Sequence, residues 1–170
     1  MTARPQRGDA ADYYFTYIDR VPDGDLLEQL ESQGQAVVAE LRAITEARSL
    51  HRYAVGKWSL RDVVNHLSDC ERLFQMRAFW FARGFDTALP SFDQEVAVSR
   101  ARADERGWTD LVDEFAAVRR SSIPFFRALP TEAWDRRGVA SGNPFTVRAL
   151  AFMCVGHVAH HMAIVRERYL

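Results

Sequence analysis

Apolar positions recur at helical spacing in successive stretches of the chain, and polar punctuation marks where each stretch begins and ends. Tyr13 to Val21 is aromatic-rich and closes on Pro22-Asp23-Gly24, a turn and helix-start signal. Leu26, Leu30, Val37, Leu41 and Ile44 then return three, four or seven residues apart. That stripe predicts a first long helix to about Arg48, weakened in its middle by Gly34.

Trp58-Ser59-Leu60-Arg61-Asp62-Val63 carries a compact helix-start code: Ser59 as cap, Asp62 reaching back to it, and Trp58 stapled against Val63. The second helix is predicted to run to about Arg83, with Leu60, Val63, Val64, Leu67, Cys70, Leu73, Phe74 and Trp80 inward and Gly84 as its stop. An aromatic followed by a hydroxyl residue recurs at Trp108-Thr109 and Phe145-Thr146, opening a third helix to about Leu129 and a fourth running nearly to Leu170. Pro124 should kink or interrupt the third. Residues 137–144 read as a loop with at most a short extended piece, so the predicted fold is an all-α four-helix bundle.

The connection between the second and third helices, Gly84 to Gly107, is about 24 residues long, far beyond the few that join antiparallel neighbours. A short helix near Asp93–Arg102 is expected inside it. A connection that long can carry the chain back along the bundle, making the second and third helices parallel and the fourth antiparallel to the second.

Composition narrows the setting. The chain has 170 residues, a formal charge of −1, 48% hydrophobic and 26% charged residues. These values describe one well-filled domain over residues 13–170, preceded by a mobile tail at 1–12, and exclude the strongly basic surface of a dedicated nucleic-acid binder. Two cysteines, Cys70 and Cys154, make no disulfide framework, which fits a reducing cytoplasm. The longest purely apolar run, Ala149 to Val155, is too short to span a membrane, and a soluble cytoplasmic protein without membrane partners is expected.

Three of the five histidines fall on apolar helix faces. His66 continues the Leu60-Val63-Leu67-Cys70 side; His157 and His161 lie four residues apart along the Leu150-Met153-Cys154-Ile164 side. An i, i+4 pair points two imidazoles the same way, as a helix does when it offers two ligands to one metal. His66 is roughly 10 Å into its helix and His161 roughly 13 Å from the far end of the last one, so antiparallel helices bring the three rings to one level. Three neutral imidazoles leave a divalent ion its full charge and open positions, a catalytic pattern. The competing reading makes each histidine a core residue hydrogen-bonded to a neighbour. His160 points about 100° away from His161 and is less suited as a ligand; His51, in an Arg-rich loop, is expected to face solvent.

Gly56 to Leu67, followed by Asp69 and Glu71-Arg72, together with Gly156-His157-Val158-Ala159-His160-His161, resembles the DinB/YfiT-like superfamily from about Tyr14 onwards. The resemblance implies an up-down-down-up bundle, often a homodimer, with His66, His157 and His161 on a divalent metal, nickel or zinc. It also implies a metal-dependent enzyme acting on a small-molecule substrate: an S-transferase or isomerase using a low-molecular-weight thiol, or a hydrolase. A non-catalytic metal-binding, small-molecule-binding or stress-response bundle is the alternative.

Val158 stands where a zincin glutamate would be, so that peptidase mechanism lacks its base. Asp69 and Glu71 are the nearest substitutes, although a salt bridge with Arg72 or Arg77 is their ordinary role. Cys70, one turn after His66, is a candidate extra ligand or redox thiol, and Cys154 lies nearly one turn before His157.

Overall fold

The structure is a computed structural model that describes residues 3–170. In chain order it places a single turn α1 (Phe15–Ile18), a long helix α2 (Leu26–Arg42), a second turn α3 (Glu46–Ser49), α4 (Leu60–Ala82), a short α5 (Gln94–Ala101), α6 (Trp108–Arg127), a hairpin of β1 (Arg137–Ala140) and β2 (Asn143–Thr146), and α7 (Val147–Arg168).

Side chains that accept backbone N–H groups set most of the helix starts. Asp25 accepts from Leu27 and Glu28, Ser59 and Asp62 form a reciprocal capping box, and Thr146 accepts from Ala149. The α6 start differs from the expected one. It begins at Trp108, its Gly107 cap has no side chain to offer, and the Glu46 carboxylate accepts from Trp108 N at 3.0 Å instead. Nor does the first long helix reach Arg48: α2 ends at Arg42, and the Thr45 hydroxyl starts α3 by accepting from Arg48 N. Pro124 does not interrupt α6, which runs on to Arg127.

The all-α expectation needs correction at residues 137–146. β1 and β2 pair antiparallel, Arg137 opposite Thr146 and Ala140 opposite Asn143, around Ser141 and Gly142, whose φ values of 52° and 71° suit a two-residue hairpin turn. Each strand is only four residues long, too short for alternation to register in the sequence.

Residues 3–12, part of the stretch expected as a tail, make contacts with the rest of the chain. Ala10 bridges Phe145, Thr146 N donates to Asp9 O at 2.8 Å, Arg137 pairs with Asp9, and Arg4 donates to Ile18 O. Residues 1 and 2 of that expectation lie outside the described residues.

Side-chain links between helices give their directions. Asn65, Arg72 and Gln75 of α4 meet Arg106, Glu114 and Ser121 in the same order, so α4 and α6 run parallel. At the far end of α7, Tyr169 donates its hydroxyl to Trp58 O, beside the start of α4, which makes α4 and α7 antiparallel. Gly84, at φ 82°, ends α4. From there the connection touches the hairpin through Leu89 and Val139, passes α5 along α4, and reaches the α4 start, where Ser59 Oγ donates to Asp104 at 2.5 Å. The strap thus returns the chain to the end from which α6 can run beside α4.

Apolar side chains gather in two clusters, one around Phe74, Phe126, Phe145 and Phe152, the other around Leu67, Trp108, Phe115 and Met162. The buried Glu71–Arg119 ion pair sits in the same stretch of the bundle as His66 and His157. By length and hydropathy α7 passes for a membrane span, yet 67% of that apolar window is buried inside the bundle, as a central core helix requires.

Gly156 permits a close approach between backbones. A Cβ there would lie 2.1 Å from Tyr17 O, and a backbone oxygen cannot swing aside. Gly156→Ala is therefore expected to cost about 1–3 kcal/mol in a thermal or urea melt, and to push α1 away from α7.

Candidate metal centre

His66 is carried by α4, His157 and His161 by α7, and the antiparallel packing of the two helices brings one nitrogen of each to within 4.8 Å of the others. His66 Nε2 and His157 Nε2 are 3.1 Å apart. Two imidazoles sharing a tetrahedral ion with bonds of about 2.0–2.1 Å would sit about 3.3 Å apart, so the spacing of this pair, which is also a hydrogen-bond distance, is close to that of two ligands on one ion.

Aromatic rings hold these imidazoles. Trp58 lies against His66 at 4.8 Å between centroids, while Tyr17 and Phe74 meet His157 edge-on at 5.2 and 5.6 Å. His66 and His157 are 2% and 4% exposed; His161 is half-buried. Burial lowers the pKa of His66 to about 4 and of His161 to about 3, and burial, reinforced by the neighbouring histidines, holds His157 well below 6.5. All three are neutral at pH 7, the form that ligates metal.

The remaining sequence candidates separate on geometry. Cys70 Sγ lies 3.6 Å from the His66 ring nitrogens, and burial raises its pKa to about 12, so the protein alone keeps it a thiol. Asp69 is half-buried and accepts from Asn65 Nδ2 at 2.8 Å. Glu71 binds Arg119 through both oxygens, a partner different from the expected Arg72 or Arg77. Arg72 pairs with Asp69 at 3.6 Å, as expected for that acid, and also reaches Glu114 at 2.6 Å. Cys154 is buried, its own carbonyl accepting from Arg119. His160 packs against Tyr17 at 5.3 Å, outside the triad, and His51 is half-buried against Tyr169.

Two cavities flank the triad. One of about 440 Å³ is lined by His160, His161, Trp58 and Glu95, the other, of about 250 Å³, by His157, Cys70, Phe74 and Arg77; Tyr13, Tyr17 and Gln94 border both. The tyrosines were legible only as an aromatic-rich segment. Arg77 had a clearer signal, since His66, Cys70, Phe74 and Arg77 are spaced four, four and three apart on one helix face.

The fold is shared with a solved Bacillus subtilis protein, YfiT, described as a probable metal-dependent hydrolase with an unusual four-helix bundle topology. It matches 86% of this chain and 90% of its own at a TM-score of 0.74, with 17% sequence identity. Among curated proteins, none matches the sequence significantly. The model of the DinB superfamily matches residues 29–165, and the chain belongs to that superfamily.

Proposed function

We propose that this protein is a divalent-metal-dependent enzyme that transfers a low-molecular-weight thiol to a small electrophilic substrate, with His66, His157 and His161 as the metal ligands. The observation that carries the reading is the convergence of three neutral imidazoles, two from one helix and one from its antiparallel neighbour, beside two open cavities. Zinc and nickel both suit imidazole. Such an ion, when bound, would lower the pKa of a thiol or water and leave positions for substrate.

The chain's own groups orient and enclose. Trp58, Tyr17 and Phe74 fix the imidazole planes and exclude water from their edges. Hydrolysis, the second reading, is favoured by the description of the Bacillus subtilis relative. It would ask more of the site, because Asp69 and Glu71 are committed to Asn65 and Arg119.

The helix directions support the up-down-down-up arrangement expected from the sequence. Exposed Met76 and Phe79, near the end of α4, support the expected homodimer, which light scattering of the purified protein would read as twice the chain mass.

Metal analysis of protein purified without chelators is expected to find close to one divalent ion per chain, and close to none in His157→Ala. Thiol conjugation to an electrophile such as 1-chloro-2,4-dinitrobenzene should then depend on that ion. Metal without thiol transfer or hydrolysis would favour the non-catalytic binding bundle; no metal would overturn the proposal.

A further inference from the structure

Three arginines among the described residues are buried, and two of them carry a carboxylate. Arg61 pairs with Glu46, and Arg119 pairs with Glu71. Arg77, 2% exposed, pairs with no acid. Its Nη2 donates to Pro90 O at 3.2 Å and to Ser141 Oγ at 2.8 Å, while its Nε is buried with no partner at all. An unpaired buried cation is costly, and a guanidinium stays charged even there. Burial pulls its pKa down in the direction that this cost implies.

Arg77 also lines the cavity of about 250 Å³ that reaches His157 and Cys70. Leu73, Phe74 and Phe92 supply apolar wall, no carboxylate lines the cavity, and exposed Tyr13 and Gln94 stand at its edge. Arg77 lies eleven residues beyond His66, about 16 Å along the helix. Side chains in a helix lean toward its N-terminus, which brings the guanidinium back toward the histidines.

We infer that Arg77 is the carboxylate subsite of the substrate cavity, and that the ligand is an extended organic monoanion with its carboxylate on Arg77 and its other end at the histidine triad. Charge and wall select this class. A single permanent cation balances one negative charge, whereas a phosphate dianion would keep a second charge that no other cation in the lining meets. The apolar part of the wall, Leu73, Phe74 and Phe92, favours an anion with a hydrocarbon body over a small, fully hydrated one. The inference deepens the proposed function and rests on it only for what happens at the triad end.

Calorimetric titration with hexanoate and hexan-1-ol, ligands matched in length, tests it on chelator-treated and zinc-reconstituted protein. In both preparations hexanoate should bind about tenfold or more tightly than the alcohol. Arg77→Gln should erase the difference, Arg77→Lys should keep most of it, and Leu73→Trp, which fills the cavity, should weaken both ligands. Equal binding of the two ligands by the wild type overturns the inference, as does unchanged hexanoate binding in a folded Arg77→Gln. If circular dichroism shows Arg77→Gln to be unfolded, the wild-type pair and Leu73→Trp decide, and unchanged hexanoate affinity in the latter overturns it. Hexanoate selectivity in a protein that takes up no zinc would refute the metal reading and leave the subsite standing.

Discussion

Glu71→Ala is expected to destabilise the protein by about 3–5 kcal/mol, enough to leave much of it unfolded at moderate urea concentrations. Arg119 Nε and Nη2 hold both Glu71 oxygens at 2.7–3.0 Å, while Nη1 donates to Leu30 O and Gln33 Oε1 and Nη2 also reaches Cys154 O. One guanidinium from α6 thereby ties together α2, α4 and α7. Both side chains are essentially without solvent, at 1% and 2% exposure. Removing the carboxylate strands a cation where water cannot reach it, and this penalty exceeds the net value of the pair itself. Arg119→Met in the Glu71→Leu background should recover part of the loss, because two apolar side chains leave no buried charge. Full recovery is not expected, since Gln33 and the carbonyls of Leu30 and Cys154 lose their donor. Equilibrium urea unfolding of the two variants reads both numbers, and a Glu71→Ala loss below about 1 kcal/mol would contradict a desolvated pair.

The same pair marks where sequence reading stops. Glu71 is legible as an acid on an inward face, but its partner lies 48 residues away on a helix whose register against α4 no local rule supplies. Arg72 and Arg77 are the partners that spacing offers; one reaches α6 and the other the hairpin. Gly34 reads as a weakness in its helix, and the structure supplies its reason: the Arg119 stem lies where a Cβ would be, 2.7 Å from the ideal position.

The histidines were legible because two independent periodicities converged on them. His66 and the His157–His161 pair each sit at a helical interval on an apolar face, and helix rise alone sets their levels. Local caps were legible for a similar reason, since Ser59–Asp62 and Thr146 act within four residues of themselves. The hairpin strands are too short for alternation to show, and the packed residues 3–12 and the tyrosines beside the triad depend on contacts between distant segments, which carry no such local signature.

Metal-free protein is expected to lose stability steeply as pH falls below about 6.5, the value at which histidines of the unfolded chain take up protons. In the folded state burial holds His66 near 4, His161 near 3 and His157 well below 6.5. Folded pKa values below the unfolded one mean that the unfolded chain binds more protons between the two. The stability from keeping these rings neutral is therefore complete above pH 6.5 and is lost downward from there toward pH 4. Each fully buried ring contributes a slope of about 1.4 kcal/mol per pH unit, so His66 and His157 together give nearly 3, with half-buried His161 adding a smaller share. Glu114, held low by Arg72 and Arg106 against its own desolvation, loses its contribution only below the usual carboxylate range, whereas burial raises Asp69, so that proton uptake by the folded protein there offsets part of the loss at the acid end of the window. Urea midpoints measured across that window should fall steadily in the wild type and more gently in His157→Ala, which lacks one ring. Zinc at a thousandfold its dissociation constant should add about 4 kcal/mol at pH 7. That increment should fade on acidification, because protons and the ion compete for the same nitrogens, and it should be absent from His157→Ala at every pH. A flat profile from pH 6.5 to 5 in metal-free protein would mean that the rings are not buried as neutral imidazoles.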